Sequence, residues 1–116
     1  MPLPEPAGIP KGCVQDSGPE RIPESFQLFG QTIYVHRTPE VRIAGQDCYG
    51  AAHLNENRIL IEDGSGGTNS ELLEQTFWHE ALHFVFNRIG FDELGENEHL
   101  VDLLGQALYQ IDKTRS

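Results

Sequence analysis

The sequence predicts an α+β domain in which a small antiparallel sheet packs against two helices. Two observations lead to this fold class. Strands rich in β-branched and aromatic residues occur between residues 25 and 62, and helical periodicity with capping signals follows between residues 68 and 112. A chain of 116 residues has room for one compact domain with one modest core.

Residues 1–24 differ in composition from the rest of the chain. Six of the seven prolines fall in this segment, together with three glycines. Such a composition supports neither a helix nor a strand ladder, because proline lacks the amide hydrogen. We therefore expect a flexible tail over residues 1–24 and a folded domain over residues 25–116. A chain that begins at Ser25 is expected to melt within a few degrees of the full chain.

The β region divides into two predicted hairpins. The first occupies residues 26–38 with its turn at Gly30, and the second occupies residues 49–62 with the turn Asn55-Glu56-Asn57. Glycine and asparagine tolerate the left-handed backbone geometry that tight hairpin turns require. The glycine-rich residues 63–67 are expected to form a flexible loop before the helical half.

Two helices are predicted after this loop. Thr68 and Glu71 have the spacing of a capping box, and Gly90 supplies a helix stop, so the first helix is expected over about residues 69–89. A short acidic loop then leads to a last helix over about residues 97–112, where apolar residues recur at helical spacing.

The charge of the chain excludes some classes of partner. Asp and Glu outnumber Lys and Arg by 18 to 8, giving a net charge of −10, and a phosphate backbone would be repelled by this surface. No apolar stretch approaches the roughly 20 residues of a membrane-spanning helix. Cys13 and Cys48 are too few for a disulfide scaffold, and no signal-peptide pattern is seen. We expect a cytoplasmic protein that binds neither nucleic acid nor membrane.

The motif that predicts chemistry is His79-Glu80-Ala81-Leu82-His83, an HExxH within the first long helix. Residues four apart on a helix point the same way, so two imidazoles at this spacing can bind one zinc ion. Glu80 is rotated by about 100° from His79, where it can face a water molecule without ligating the metal. Apolar residues flank the motif on both sides, which is typical of a buried helix.

A catalytic zinc needs a third protein ligand, and the last helix offers candidates. Glu98 and Asp102 are four residues apart and share one helix face, on which Gly105 would allow close approach to the HExxH helix. Glu96 and His99 compete with them for the ligand position. Asp102 is also suited to accept the second ring N–H of a ligand histidine.

These motifs resemble those of the gluzincin metallopeptidases. The family pairs HExxH with an Asn-Glu-x-x-x-Asp element, which Asn97-Glu98-x-x-x-Asp102 matches residue for residue. The small size and the Gly-x-Thr-Ile-x-Val run at residues 30–35 are more similar to minimal zincins encoded by phages and prophages. The resemblance covers roughly residues 26–112, and only residues 76–102 are specific. Ile89 stands where a metzincin would have a third histidine.

The resemblance implies a set of roles for five residues. His79, His83 and Glu98 would be the zinc ligands, and Glu80 would be the general base acting on a zinc-activated water. Asp102 would accept a hydrogen bond from the second ring nitrogen of a ligand histidine without binding the metal itself.

The implied function is zinc-dependent hydrolysis of peptide bonds in a peptide or protein substrate. Large gluzincins also stabilise the oxyanion with a His or Tyr, for which Tyr109 is a candidate beside His99, Tyr49 and His53. The strand Arg58–Glu62 is expected to offer a sheet edge to the substrate. The alternative is a zinc-binding regulatory or interaction module with a peptidase-like fold and little or no turnover.

Overall fold

The computed structural model describes residues 21–115 and has the α+β architecture that the sequence predicts. The strands are β1 (Ser25–Leu28), β2 (Gln31–Thr38), β3 (Val41–Ile43), β4 (Gln46–Cys48), β5 (Gly50–His53) and β6 (Arg58–Glu62). The α-helices are α1 (Ser70–Arg88), α2 (Asp92–Gly95) and α3 (Glu98–Thr114), and a single 3₁₀ turn spans Leu54–Glu56.

The main sheet is mixed, which corrects the antiparallel sheet predicted from the sequence. Its strand order is β1-β2-β6-β5, in which β2 and β6 run parallel and the two outer pairs run antiparallel. Two parallel strands need a long connection between them. Residues 39–57, which contain β3, β4 and β5, form the connection from β2 to β6.

Strand β6 lies inside the sheet, so the prediction that Arg58–Glu62 offers an edge is wrong. Its two neighbours are β2 on one side and β5 on the other. Within residues 21–115 the edges of the main sheet are β1 and β5. Strands β3 and β4 form a separate two-stranded hairpin.

Both predicted turns are confirmed by backbone geometry. The β1–β2 turn has positive φ at Phe29 (50°) and Gly30 (81°), as a two-residue hairpin with right-handed twist requires. Asn57, with φ of 51°, ends the 3₁₀ turn and immediately precedes β6.

Helix α1 is buried on two sides and is the middle of three layers. Toward the sheet it contributes to a core cluster made of Ile33, Val35, Ile59, Ile61, Leu73, Phe77, Ala81 and Phe84. Toward α3 it contributes to a second, smaller cluster made of Leu82, Phe86 and Val101. The aromatic residues that flank HExxH in the sequence are therefore the residues that anchor α1 in both cores.

The start of α1 differs from the predicted capping box by one residue. Asn69 is the N-cap, and its side chain accepts hydrogen bonds from the amides of Glu71 and Leu72. The Thr68 hydroxyl instead donates to the Glu62 carboxylate at the end of β6. Gly90, with φ of 82°, follows the helix end as predicted.

An ion pair between a buried carboxylate and a partly exposed lysine holds the far end of α3 against α1. Glu74 on α1 is only 3% exposed, and its Oε1 lies 3.4 Å from Nζ of Lys113 on the last turn of α3. Loss of Lys113 is disfavoured because the Glu74 charge would stay buried without this partner. The outer face of α3 stays exposed, and no helix within residues 21–115 is long and apolar enough to span a bilayer.

Residues 21–24 contact the domain, although the sequence analysis placed them in the tail. Ile22 packs against the sheet-side core, and the carbonyl of Glu24 accepts a hydrogen bond from the Val35 amide. The Arg21 guanidinium donates to the backbone carbonyl of Asp112. The remainder of the predicted tail, residues 1–20, lies outside the described residues.

These contacts change the expected effect of truncation. A chain that begins at Ser25 loses the packing of Ile22 and the Glu24 hydrogen bond, together worth about 1–2 kcal/mol. We expect its melting temperature to lie about 5–10 °C below that of a chain that begins at Arg21. Calorimetry of both chains measures this difference, and equal melting temperatures would contradict it.

Candidate metal centre

Helix α1 places both histidines of the motif on one of its faces. The rings of His79 and His83 lie one turn apart with centroids separated by 5.0 Å. Each side chain is about one fifth exposed, so the rings are held by their surroundings and still reach solvent.

Glu98 completes a three-residue cluster from the first turn of α3. Asn97 caps this helix by accepting a hydrogen bond from the Leu100 amide, which fixes where the helix begins. Glu98 Oε1 lies 3.0 Å from His79 Nε2, and Oε2 lies 3.4 Å from His83 Nε2. One potential ligand atom from each of the three residues lies within 4.8 Å of the others.

Both rings meet groups that can orient them. Asp102 Oδ1 lies 3.4 Å from Nδ1 of His79, one helical turn after Glu98. His83 hydrogen-bonds the backbone of Gly95 at the end of α2. Holding a proton on one ring nitrogen leaves the lone pair of the other free for a metal. Asp102 therefore lies where the sequence predicts it.

The close approach of α3 to α1 occurs at Gly105. A Cβ atom at this position would lie 3.2 Å from the backbone nitrogen of His79 and 3.4 Å from its Cα. A larger residue would push the helices apart at the turn that bears the first histidine. The sequence prediction that this glycine permits the approach is consistent with this contact.

Glu80 lies beside the cluster without joining it. Glu80 is 8% exposed. Together with His79 it lines each of two neighbouring cavities. Burial, with a further contribution from the negative charge of Glu98, raises the pKa of the Glu80 carboxyl to about 7. Burial also lowers the pKa of His83, which favours the neutral imidazole that binds metals.

Two cavities meet at Glu80 and together form a cleft along β5. One, of about 230 Å³, extends toward Tyr49 and Gln106. The other, of about 380 Å³, extends over His83 and Glu98 toward Ile43. Gly50 borders both cavities.

Gly50 also brings β5 directly onto α1. A Cβ atom at this position would lie 2.7 Å from Cγ2 of Thr76 on α1 and 3.1 Å from the carbonyl oxygen of Leu60. The cleft is therefore narrow, because the strand and the HExxH helix are in contact along one side of it.

The candidates for oxyanion stabilisation are separated by the structure. Tyr109 lies 11 residues after Glu98 on α3, about 16 Å along the helix axis. The Tyr109 hydroxyl forms a hydrogen bond with the Glu71 side chain, and burial raises the pKa of Tyr109 to about 12. The structure therefore does not bring Tyr109 to the cluster, whereas Tyr49 lines the smaller cavity beside His79.

The remaining histidine candidates lie away from the three-residue cluster. His99 is exposed on the first turn of α3, and His53 ends β5 opposite Arg58. Neither belongs to the group whose ligand atoms converge within residues 21–115, and the exposed Glu96 does not belong to it either.

Two secondary-structure elements that border the site were not predicted from the sequence. Helix α2, expected as a loop, supplies the Gly95 backbone that meets His83. The β3–β4 hairpin (residues 41–48) forms one end of the cleft. Its signal in the sequence is Ala44-Gly45 between two short polar-apolar runs, and three-residue strands are too short to show a clear period.

The donor set fits a metal of borderline softness. Two imidazole nitrogens and one carboxylate are the ligands of many catalytic zinc sites, which keep a further position open. The groups that hold the second ring nitrogens complete the pattern expected around such a site. Residues His79, His83 and Glu98 could therefore hold one ion at the mouth of the cleft.

Comparison with protein-family models, with curated proteins and with solved structures found no match to this chain. The similarity to the gluzincins thus stays a prediction made from residues 76–102. The α+β fold and the convergence of the three potential ligands are properties of the structure itself.

Gly105→Ala tests whether the helix contact controls the site. Alanine in an open helix position would stabilise the chain by up to about 1 kcal/mol, whereas overpacking against His79 costs about 1–3 kcal/mol. We expect a lower melting temperature together with weaker metal binding, measured by calorimetry and by zinc titration. Gln110→Ala, at an exposed position further along α3, is the control. Stabilisation by Gly105→Ala would show that the contact is loose.

Metal analysis of the chain purified without a histidine tag tests the ligand assignment. We expect one zinc per chain, and Glu98→Ala should remove it or weaken binding severely because one of three ligands is lost. His99→Ala changes the adjacent, exposed residue and should leave the metal content unchanged. The reverse result for these two variants would show that the third ligand is misassigned.

Proposed function

We propose that this chain is a small zinc-dependent peptidase. The observation that supports this most directly is the convergence of His79, His83 and Glu98 beside the buried carboxyl of Glu80. A site that served only to stabilise the fold would have no need of a buried carboxyl next to an open ligand position. The cleft on both sides of Glu80 gives the substrate access to that position.

The edge of β5 is the proposed backbone-binding surface. Among the described strands, β5 is the outermost member of the main sheet on the side of the metal cluster. A peptide in extended conformation could pair with its free edge as an added strand. Ala51 and Ala52 are small, so they leave room for a chain that lies over Glu80. This replaces the role that the sequence analysis gave to Arg58–Glu62.

Zinc, when bound by these three residues, would polarise the scissile carbonyl and acidify a water molecule. The Glu80 carboxylate then takes a proton from the attacking water and delivers it to the nitrogen of the leaving amine. The C–O bond to the water oxygen forms first, and the C–N bond then breaks as the amine leaves with the delivered proton, so the products are a carboxylate and an amine. Asp102 keeps the proton of His79 on Nδ1 throughout.

Tyr49 is the proposed donor to the oxygen that gains negative charge. It precedes β5, lines the cavity that also contains His79 and Glu80, and is half exposed. A phenol in this place can donate a hydrogen bond to a developing oxyanion. The compartment proposed for this activity is the cytoplasm, and the proposed substrate is a peptide or an extended protein segment.

Glu80→Gln tests the proposed reaction. The amide keeps the size of the side chain but cannot accept the proton, so hydrolysis of a peptide library should fall by about 100-fold or more. Zinc content should stay at one per chain, because Glu80 is not a ligand in this assignment. Glu93→Gln, on the exposed surface of α2, is the matched control and should retain activity.

Two outcomes would decide against the proposal. Loss of zinc from Glu80→Gln would make this residue a ligand. Full zinc occupancy without cleavage of any library peptide would favour the alternative, a metal-binding interaction module with a peptidase-like fold.

A further inference from the structure

The β3–β4 hairpin (residues 41–48) has two chemically different faces. Its register pairs Val41 with Cys48 and Arg42 with Asp47, and cross-strand partners share a face. Arg42 lies 3.4 Å from the carboxylates of both Asp47 and Glu40, so the charged groups gather on one face. Val41, Ile43 and Cys48 occupy the opposite face together with Gln46, the cross-strand partner of Ile43.

The face that bears Val41, Ile43 and Cys48 is directed toward the three potential metal ligands. Val41 is 2% exposed and anchors the hairpin to the domain. Ile43, two residues further along the same face, lines the 380 Å³ cavity together with Cys48 and the three potential metal ligands. Ile43 remains 49% exposed, so an aliphatic side chain projects over the position where a substrate would lie.

The same cavity has further aliphatic lining. Ala52 on β5 and Leu54 in the 3₁₀ turn line it together with Ile43. At the other end of the cleft, the smaller cavity is lined by Leu72 as well as by Gln75 and Gln106. Different residues therefore line the two sides of Glu80, and the hairpin contributes to one side alone.

We propose that the β3–β4 hairpin selects the substrate by taking an aliphatic side chain next to the scissile bond. The inference rests on the proposed peptidase function and adds to it the class of residue that is recognised. An aliphatic side chain would remove apolar surface of Ile43 and Leu54 from water. An acidic side chain in the same place would lose part of its hydration against these aliphatic side chains.

The test uses the zinc-loaded Glu80→Gln chain and a set of alanine-based hexapeptides. Each peptide carries Leu, Ser, Lys or Asp at one position, and binding is measured by fluorescence anisotropy. We expect Leu peptides of one register to bind about 10-fold or more tightly than the Ser and Asp peptides. Adding Ile43→Asp should abolish this preference and favour Lys, and the milder Ile43→Ser should weaken it.

Ile111→Asp is the matched control for Ile43→Asp. Ile111 is 61% exposed near the end of α3, so the change in residue type and charge is the same at a distant position. The preference for Leu should persist in this variant. Loss of the preference in both variants to the same extent would overturn the proposal, because net charge alone would explain it.

Cys48 supplies a second readout that needs no turnover. Cys13→Ser leaves Cys48 as the one thiol of the chain, and its alkylation rate reports access to the hairpin face. Saturating Leu peptide should slow the alkylation by about 10-fold or more, while the Asp peptide should not. Equal alkylation rates with both peptides would show that the hairpin does not contact the bound side chain.

The outcomes separate this inference from the peptidase proposal. Cleavage that occurs with the same side-chain preference before and after Ile43→Asp would overturn the role of the hairpin and leave the peptidase function standing. Binding of Leu peptides that depends on Ile43, without any cleavage by the chain that retains Glu80, would support the hairpin and overturn the peptidase function. Absence of both binding and cleavage would overturn both.

Discussion

The contact between the backbones of α1 and α3 is the constraint on which the site depends. Gly105 lets α3 approach the turn of α1 that carries His79, and Glu98 lies seven residues earlier, about 10 Å along the same helix. Since a helix is stiff over this length, a shift at the contact moves the carboxylate relative to both imidazoles. The ion pair of Glu74 and Lys113 holds the other end of α3. The distances among the three potential ligands therefore follow from helix packing.

Helix α1 is shared by two cores and a cleft. Phe77 and Phe84 face the sheet, and Leu82 and Phe86 face α3, which leaves one strip of the helix for His79 and the residues beside it. Because opposite sides of the helix are anchored, the motif cannot rotate without disturbing one core. The precision of the site is thus supplied by apolar residues that never touch a ligand.

Much of the candidate site could be predicted from the sequence because its geometry is local. The separation of His79 and His83, and the helix face shared by Glu98 and its neighbours, follow from 3.6 residues per turn. The parallel pairing of β2 with β6 could not be predicted, because it depends on how residues 39–57 return across the sheet. For the same reason the sequence points to Tyr109, which shares a helix with Glu98, whereas tertiary structure brings Tyr49 to the cleft.

The placement of the ligands has a consequence for the folding of the chain. All three potential ligands lie between residues 79 and 98, within a helical segment that has its own small core around Val101. Contacts so near in sequence form quickly, whereas the β2–β6 pairing that positions β5 must first close the loop over residues 39–57. An ion taken up by these three residues could therefore be bound before the cleft is assembled. A chain could be fully metallated while β5 is still unpaired, so metal occupancy would not measure the fraction of fully folded molecules.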